Sequence, residues 1–467
     1  MGVTMEGIQN AQNIIHKEGI QFVRLEIEDM NGISRGVLLD VDHFLENIQE
    51  GFSFPFGGVG CIDFDGKGVH NDLLDEKINF SNGVLYPDLE TFRKIPWKMN
   101  TASVICDLTH AHYVDKNVKN CLSLFHTRLI CKRQLASLKN LGFALKSSLE
   151  YEFYIADRKS LLPIDNEENY SSTFFNEKSS NLAIAIMSNL KKYQIDPEKF
   201  HMECAPSMHE ITIKPYFGIK SADNSMRFRS TVKETCLQNN VHALFMTNPY
   251  KYEYRSNGQF NHSLWDGERN INMFFGSLRN LSPVGKNWLA GLRTHSKALA
   301  CLALTTYNCY QCFRNQDEGF DTGPMLSMNS AWGYNNRTVG FRVQASNPKA
   351  SYIEYRIPGA AVNPYLMMAG ILIAGMDGIK RSLALEDAPF DGNISKASPS
   401  SPYFDIPRCL ADAVGALQDD CLFVKELGED FIEAFVTLKK NEIERIKKHS
   451  DNEEELWKFQ LQYYKHI

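Results

Sequence analysis

The chain has 467 residues, more than one hydrophobic core usually supports, so two or three domains are expected. With 43% hydrophobic and 23% charged residues, its composition is that of a globular protein and excludes a disordered, collagen-like or disulfide-dense chain. Its 50 basic and 56 acidic side chains leave a net charge of −6, which offers no attraction to nucleic acid or to anionic lipid.

The opening Met1-Gly2-Val3-Thr4-Met5-Glu6 carries no basic or apolar leader pattern and no hydroxyl residue at position 6 for myristoylation, so a cytoplasmic location is expected. Phe22 to Glu28 alternates polar and apolar residues, Asp29-Met30-Asn31-Gly32 makes a turn, and Ile33 to Leu39 runs extended again, which together predict a hairpin. Short extended runs and glycine-rich turns continue to Asp107 and predict a small β-rich N-terminal domain. From Leu122 to Leu141 apolar residues recur at helical spacing and Gly142 supplies the stop, so a second domain starts here. Beyond it, extended segments at Ala144 to Ile155 and Glu210 to Ile213 mix with helices at Trp288 to Leu304 and Tyr365 to Lys380, an α+β plan.

Tyr365 to Met376 is the most apolar stretch, but it falls short of the roughly 20 residues of a membrane span and reads as a buried helix. The segments 157–178 and 395–407 read as surface loops. Asp430 to Lys448 predicts an amphipathic helix, and a short aromatic helix follows around Trp457 and Tyr464. Eleven cysteines with a single Cys-x-x-Cys, Cys309 and Cys312, fit reduced thiols better than a zinc site, because no second ligand pair follows.

Acidic residues recur in extended segments. Glu150 and Glu152 point to one face of a strand by their period of two. Glu203 and Glu210 flank Pro206-Ser207, so two strands joined by a turn could each present one, and Glu354 stands two residues before Arg356. Each alone fits a solvated strand face. Together they suit a clamp for magnesium or manganese, which prefer carboxylate oxygens and can hold a transferring phosphoryl group. Arg337 and Arg342, read as one extended run, then Lys349 and Arg356, supply the cations that phosphate requires.

Ser148-Leu149-Glu150-Tyr151-Glu152-Phe153 resembles the Gly-x-Glu-x-Glu-Phe strand of the class I glutamine synthetase family, and Glu203-Cys204-Ala205-Pro206-Ser207-Met208-His209-Glu210 resembles its Glu-Val-Ala-Pro-Gly-Gln-His-Glu. Asn336 to Arg342, Ile353 to Arg356 and Ala361 to Leu366 resemble further blocks. Pro87-Asp88-Leu89, Thr91-Phe92-Arg93, Pro96-Trp97 and Trp332-Gly333-Tyr334-Asn335 are closest to a lens-type branch of that family. The resemblance implies a β-grasp domain at residues 1–112 and a catalytic-type α/β domain at 113–467. It also implies ATP and two magnesium or manganese ions as cofactors.

By the same resemblance Glu152, Glu203 and Glu210 would hold one ion, and Glu150 and Glu354 the other, with Gln259 at the place of a histidine ligand. Arg337, Arg356 and Asp321 would be the catalytic residues, with Glu318 the alternative flap acid, and Arg342 and Lys349 would contact the nucleotide. A homo-oligomer, a dodecamer of two stacked hexamers, is implied, with intermediate filament proteins as partners if the lens-type likeness carries over.

The departures sit at the amino-acid end. Gln259 and Asn261 replace both histidines of Gly-x-His-x-His-x-Ser, and His262, one residue out of step, faces the other side of a strand. Cys312 takes the place of an arginine that would pair with the substrate carboxylate, a loss of about 2–5 kcal/mol in a desolvated pair. Asn82 stands where the N-terminal domain of the family carries an aspartate. A chain altered in this way is expected to have lost glutamine synthesis and to keep a structural or partner-binding role. The alternative is an ATP-dependent ligase that joins another carboxylate to an amine.

Overall fold

In a computed structural model, residues 3–55, 57–72, 82–110, 125–166, 170–172, 177–320, 328–398, 400–449 and 452–467 are described. The expected first hairpin pairs β1 (Phe22–Glu28) with β2 (Ser34–Asp40). Its turn is built by Asp29, whose Oδ1 accepts from the backbone N–H groups of Asn31 and Ile33, and by Gly32 at φ +79°. β3 (Phe52–Pro55), β4 (Asn82–Pro87), β5 (Arg93–Lys94) and β6 (Thr101–His110) complete a sheet ordered β2-β1-β6-β4-β3, with β5 also on β6. β1 and β6 run parallel at its centre. A helix at Met5–Glu18, absent from the sequence reading, precedes it; Thr4 caps its start by accepting from Gly7 N–H, and Gly19 at φ +63° ends it.

The second sheet is organised around β7 (Phe143–Asp157), which pairs with four other strands: β9 (Met208–Ile213), β10 (Tyr216–Phe217), β11 (Val241–Leu244) and β12 (Gly258–Asp266). β8 (Pro197–Met202) pairs with β9, while β13 (Phe275–Ser277) and β14 (Asn280–Leu281) form a separate hairpin. β15 (Trp332–Tyr334), β16 (Phe341–Gln344) and β17 (Tyr352–Tyr355) extend the row from β12. The chain is therefore an α+β protein, with one main sheet formed up to His110 and the other from Phe143 onward.

Leu149, Tyr151 and Phe153 on β7 are buried, and Tyr151 stacks on Phe228 of the helix Ile219–Gln238. The alternate face of the same strand, carrying Glu150 and Glu152, is left for the site. The apolar helix Pro364–Lys380 is buried along its length as expected, with Asn363 capping its first turn. It crosses the helix Pro283–Thr294 so closely that a Cβ on Gly378 would stand 2.0 Å from the carbonyl oxygen of Asn287, which only glycine tolerates. The helix expected from Trp288 to Leu304 is interrupted. His295 ends the first piece, its ring held between Asp377 at 3.1 Å and Asp420 at 2.6 Å, and a second helix runs Ser296–Ala303. The helices Glu429–Lys447 and Glu453–Tyr464 follow the C-terminal pattern. Among the described residues no helix is long and apolar enough to cross a membrane.

Arg128 ties the two sheets together. Its guanidinium, 2% exposed, reaches Asp88 and Asp107 beside and on the first sheet at 2.7 Å each, and Asp223 on the helix Ile219–Gln238 at 2.8 Å. Burial alone would push the Asp107 carboxyl up, but Arg128 and Lys132 hold it down at about 2. Replacing Arg128 by Met leaves three carboxylates without their shared partner, and is expected to destabilise the fold by about 3–5 kcal/mol in urea unfolding.

Candidate active site

Antiparallel register brings the acidic residues of separate segments onto one face. Glu152 on β7 lies opposite Glu210 on β9, and Glu210 in turn lies opposite His201 on β8. On the other flank Glu150 lies opposite Gln259 on β12, while Glu354 on β17 lies between Asn261 on β12 and Arg342 on β16. Glu203, just past β8, completes the set. All of these side chains except that of Asn261, together with Arg337 and Arg356, line one cavity of about 380 Å³.

Two groupings divide the cavity. In the first, His201 bridges Glu210 at 3.1 Å and Glu203 at 3.3 Å, and one ligand atom from each of the three lies within 4.8 Å of the others. Glu152 stands next to them, its Oε2 accepting from the backbone N–H and side-chain amide of Asn257, both at 2.8 Å. Burial, reinforced by the neighbouring Glu210, raises the Glu203 carboxyl to about 7. Burial with Glu203 and Glu210 pushes Glu152 well above the carboxylate range. Glu210 goes the other way: burial opposes its ionisation, but His201 and Lys199, by hydrogen bonds and charge together, outweigh it.

In the second grouping Glu354 is clasped by Arg342 Nη1 at 2.7 Å and by Arg356 Nη1. Arg356 Nη1 also donates to Gln259 Oε1 at 3.0 Å, and Gln259 Nε2 donates to Glu152 Oε1 at 3.3 Å. Gln259 thus links the two groupings, and its oxygen is already engaged. Glu150, raised to about 7 by burial and by Glu210 and Glu354, has no cation bonded to it among the described residues.

Other expected residues lie elsewhere. Lys349 sits in the exposed loop between β16 and β17, outside the cavity, because the chain turns at Asn347, which accepts from the Lys349 N–H. Arg337 does line the cavity, but from the turn between β15 and β16 and not from an extended run shared with Arg342. Glu318 is exposed and accepts from Tyr252, and Asp321 lies outside the described residues. Asn82 bonds Ser53 at the sheet edge. His262 faces away from the cavity, accepting from Trp288 Nε1 at 3.1 Å in the apolar layer. Cys312 is buried and lines the cavity, its thiol donating to Cys309 O at 3.5 Å.

Two contributors escaped the sequence reading. His201 precedes Glu203 by two residues, a strand-face spacing that could have revealed it. Asn257 could not have been found by spacing, since its role comes from the approach of β12 to Glu152.

A family signature described as glutamine synthetase, catalytic domain, matches residues 125–458. The chain belongs to the glutamine synthetase family. Lengsin of Canis lupus familiaris is 33% identical over 430 residues, spanning 92% of this chain and 72% of that protein. Glutamate–isopropylamine ligase of a Pseudomonas species is 29% identical over 461 residues, 94% of this chain and 95% of that one. A solved GmaS/ADP complex shares the fold with a TM-score of 0.80 at 24% identity, covering 93% of this chain and 96% of that chain.

Glutamine synthetase membership implies divalent metal ions and ATP. The first grouping fits a hard cation: carboxylate oxygens converge, and burial together with their like charges raises Glu152 and Glu203. The second does not fit as arranged, since Glu354 and the oxygen of Gln259 are spent on Arg342 and Arg356.

Glu150 and Glu203, both raised to about 7, make stability depend on pH in a definite direction. A folded-state value above the ordinary 4.5 means a contribution present at low pH and lost as pH rises through about 7. In chelator, stability read from thermal unfolding is therefore expected to fall as the pH is raised from 5 to 8. Each carboxyl contributes on the order of 1 kcal/mol per pH step while the folded state still holds its proton. Manganese should oppose the fall, stabilising more at pH 8 than at pH 6; equal stabilisation at both would count against a carboxylate ion site.

Proposed function

We propose that this chain keeps a divalent-cation and ATP-phosphate site but does not make glutamine from glutamate and ammonia, and that it serves a structural or partner-binding role. The observation that carries the reading is the clasp of Glu354 by Arg342 and Arg356, with Gln259 tied to the same guanidinium. Residues that would hold a second ion are engaged with protein cations instead. Cys312 at the amino-acid end strengthens the reading, because burial raises its thiol and keeps it neutral where a fixed positive charge would be needed. Residues 1–112 and 113–467 are read as the two domains of each subunit, and a homo-oligomer, a dodecamer of two stacked hexamers, as its assembly in the cytoplasm. The likeness to lengsin makes intermediate filament proteins the partner to try.

A second reading, an ATP-dependent ligase for another acid and amine, draws on the uncompensated grouping of His201, Glu203 and Glu210. A scaffold has no need of that costly cluster. The likeness to glutamate–isopropylamine ligase points the same way.

Purified full-length protein given manganese, ATP, glutamate and ammonia is expected to release no phosphate above the background without glutamate, while binding manganese and a non-hydrolysable ATP analogue by calorimetry. Glu203→Gln should weaken manganese by about tenfold or more. Glutamate-dependent turnover at an ordinary enzymatic rate, about 1 per second or faster, would overturn the first reading. Phosphate release stimulated by one member of an acid and amine panel would establish the second.

A further inference from the structure

One positively charged side chain in the cation grouping is held from one side only. Lys199, His201 and Glu203 follow one another at a period of two on β8 and just past it, and all three line the cavity. The Lys199 ammonium stands 3.4 Å from Glu210 Oε1 and 3.5 Å from His201 Nε2. His201 Nε2 meets the same Glu210 oxygen at 3.1 Å, so lysine and histidine share one carboxylate atom. The Lys199 side chain is 57% exposed, whereas Arg342 and Arg356, which clasp Glu354, are 12% and 4% exposed.

A lysine ammonium is a compact, strongly hydrated charge on a flexible four-carbon stem. At this exposure it can return to water at little cost, because an ion pair open to solvent is weak. The buried arginines have no such route, since a guanidinium withdrawn from its carboxylate would stay dehydrated. Glu210 is also one of the three residues whose ligand atoms converge within 4.8 Å. A divalent ion seated among them would repel an ammonium on the same carboxylate. Glu210 therefore has two alternative partners, one tethered to the chain and one free.

We infer that Lys199 is a displaceable counter-ion built into the cation grouping: its ammonium offsets the Glu210 charge until a divalent ion arrives, and then swings into solvent. The inference rests on the reading of the cavity as a divalent-cation site and adds how that site is tuned. Competition within the chain holds the ion's affinity down. It also favours divalent over monovalent cations, because a singly charged ion brings no more charge than the lysine it displaces.

Two measurements on the full chain test it. In manganese calorimetry Lys199→Met is expected to bind about threefold to tenfold more tightly than wild type, and Lys199→Arg to stay near wild type. In the wild type, acetylation of Lys199 by acetic anhydride, read by mass spectrometry, is expected to quicken by about threefold or more at saturating manganese as the amine is released. Lys440, exposed on the helix Glu429–Lys447 and outside the cavity, should keep its rate. Manganese binding by Lys199→Met that equals wild type or is weaker, or a Lys199 acetylation rate that manganese leaves unchanged or slows, would overturn the counter-ion. Failure of manganese to bind wild type and Lys199→Met alike would instead remove the cation reading beneath it.

Discussion

Everything at the site depends on the register of β7 between β9 and β12. That strand presents Glu150 and Glu152 to the cavity and Leu149, Tyr151 and Phe153 to the helices, and its pairings decide which residues stand beside the two acids. A slip of one residue on β12 would bring His262 to the cavity and send Gln259 into the apolar layer beside Trp288. The burial of one face therefore holds the chemistry of the other in place.

The cavity pairs charge unevenly along its length. At one end Glu152, Glu203 and Glu210 have, among the described residues, His201, Lys199 and neutral amides for company, so protons or an added cation would offset their repulsion. At the other, Arg342 and Arg356 neutralise Glu354 outright. Desolvation makes both arrangements costly to form and costly to break, because an ion left single in a closed site cannot recover its hydration. The same logic applies to Arg128, whose three aspartates come from both sides of the joint, so the contact between the two sheets relies on a buried ionic network and not on apolar packing alone.

Gln259 and Cys312, two of the positions that depart from the family pattern, both line the cavity. Gln259 occupies both of its polar ends, one on Arg356 and one on Glu152. Gln259 and the Glu354 clasp thus share one guanidinium, that of Arg356.

Periodicity and turn chemistry are local properties of the chain, and they were enough to establish the α+β class, the hairpin at Asp29, the buried helix from Pro364 and the one-sided placement of Glu150 and Glu152. Family motifs in the sequence likewise pointed to acids and arginines that line one cavity. Three outcomes had to wait for the folded chain: Lys349 lies outside the cavity, His295 breaks a helix to sit between two aspartates, and Arg255 and Asn315 line the same cavity. A local turn at Asn347 carries Lys349 away, whereas the other two turn on contacts between segments far apart in the chain, and no spacing along the sequence encodes such a meeting.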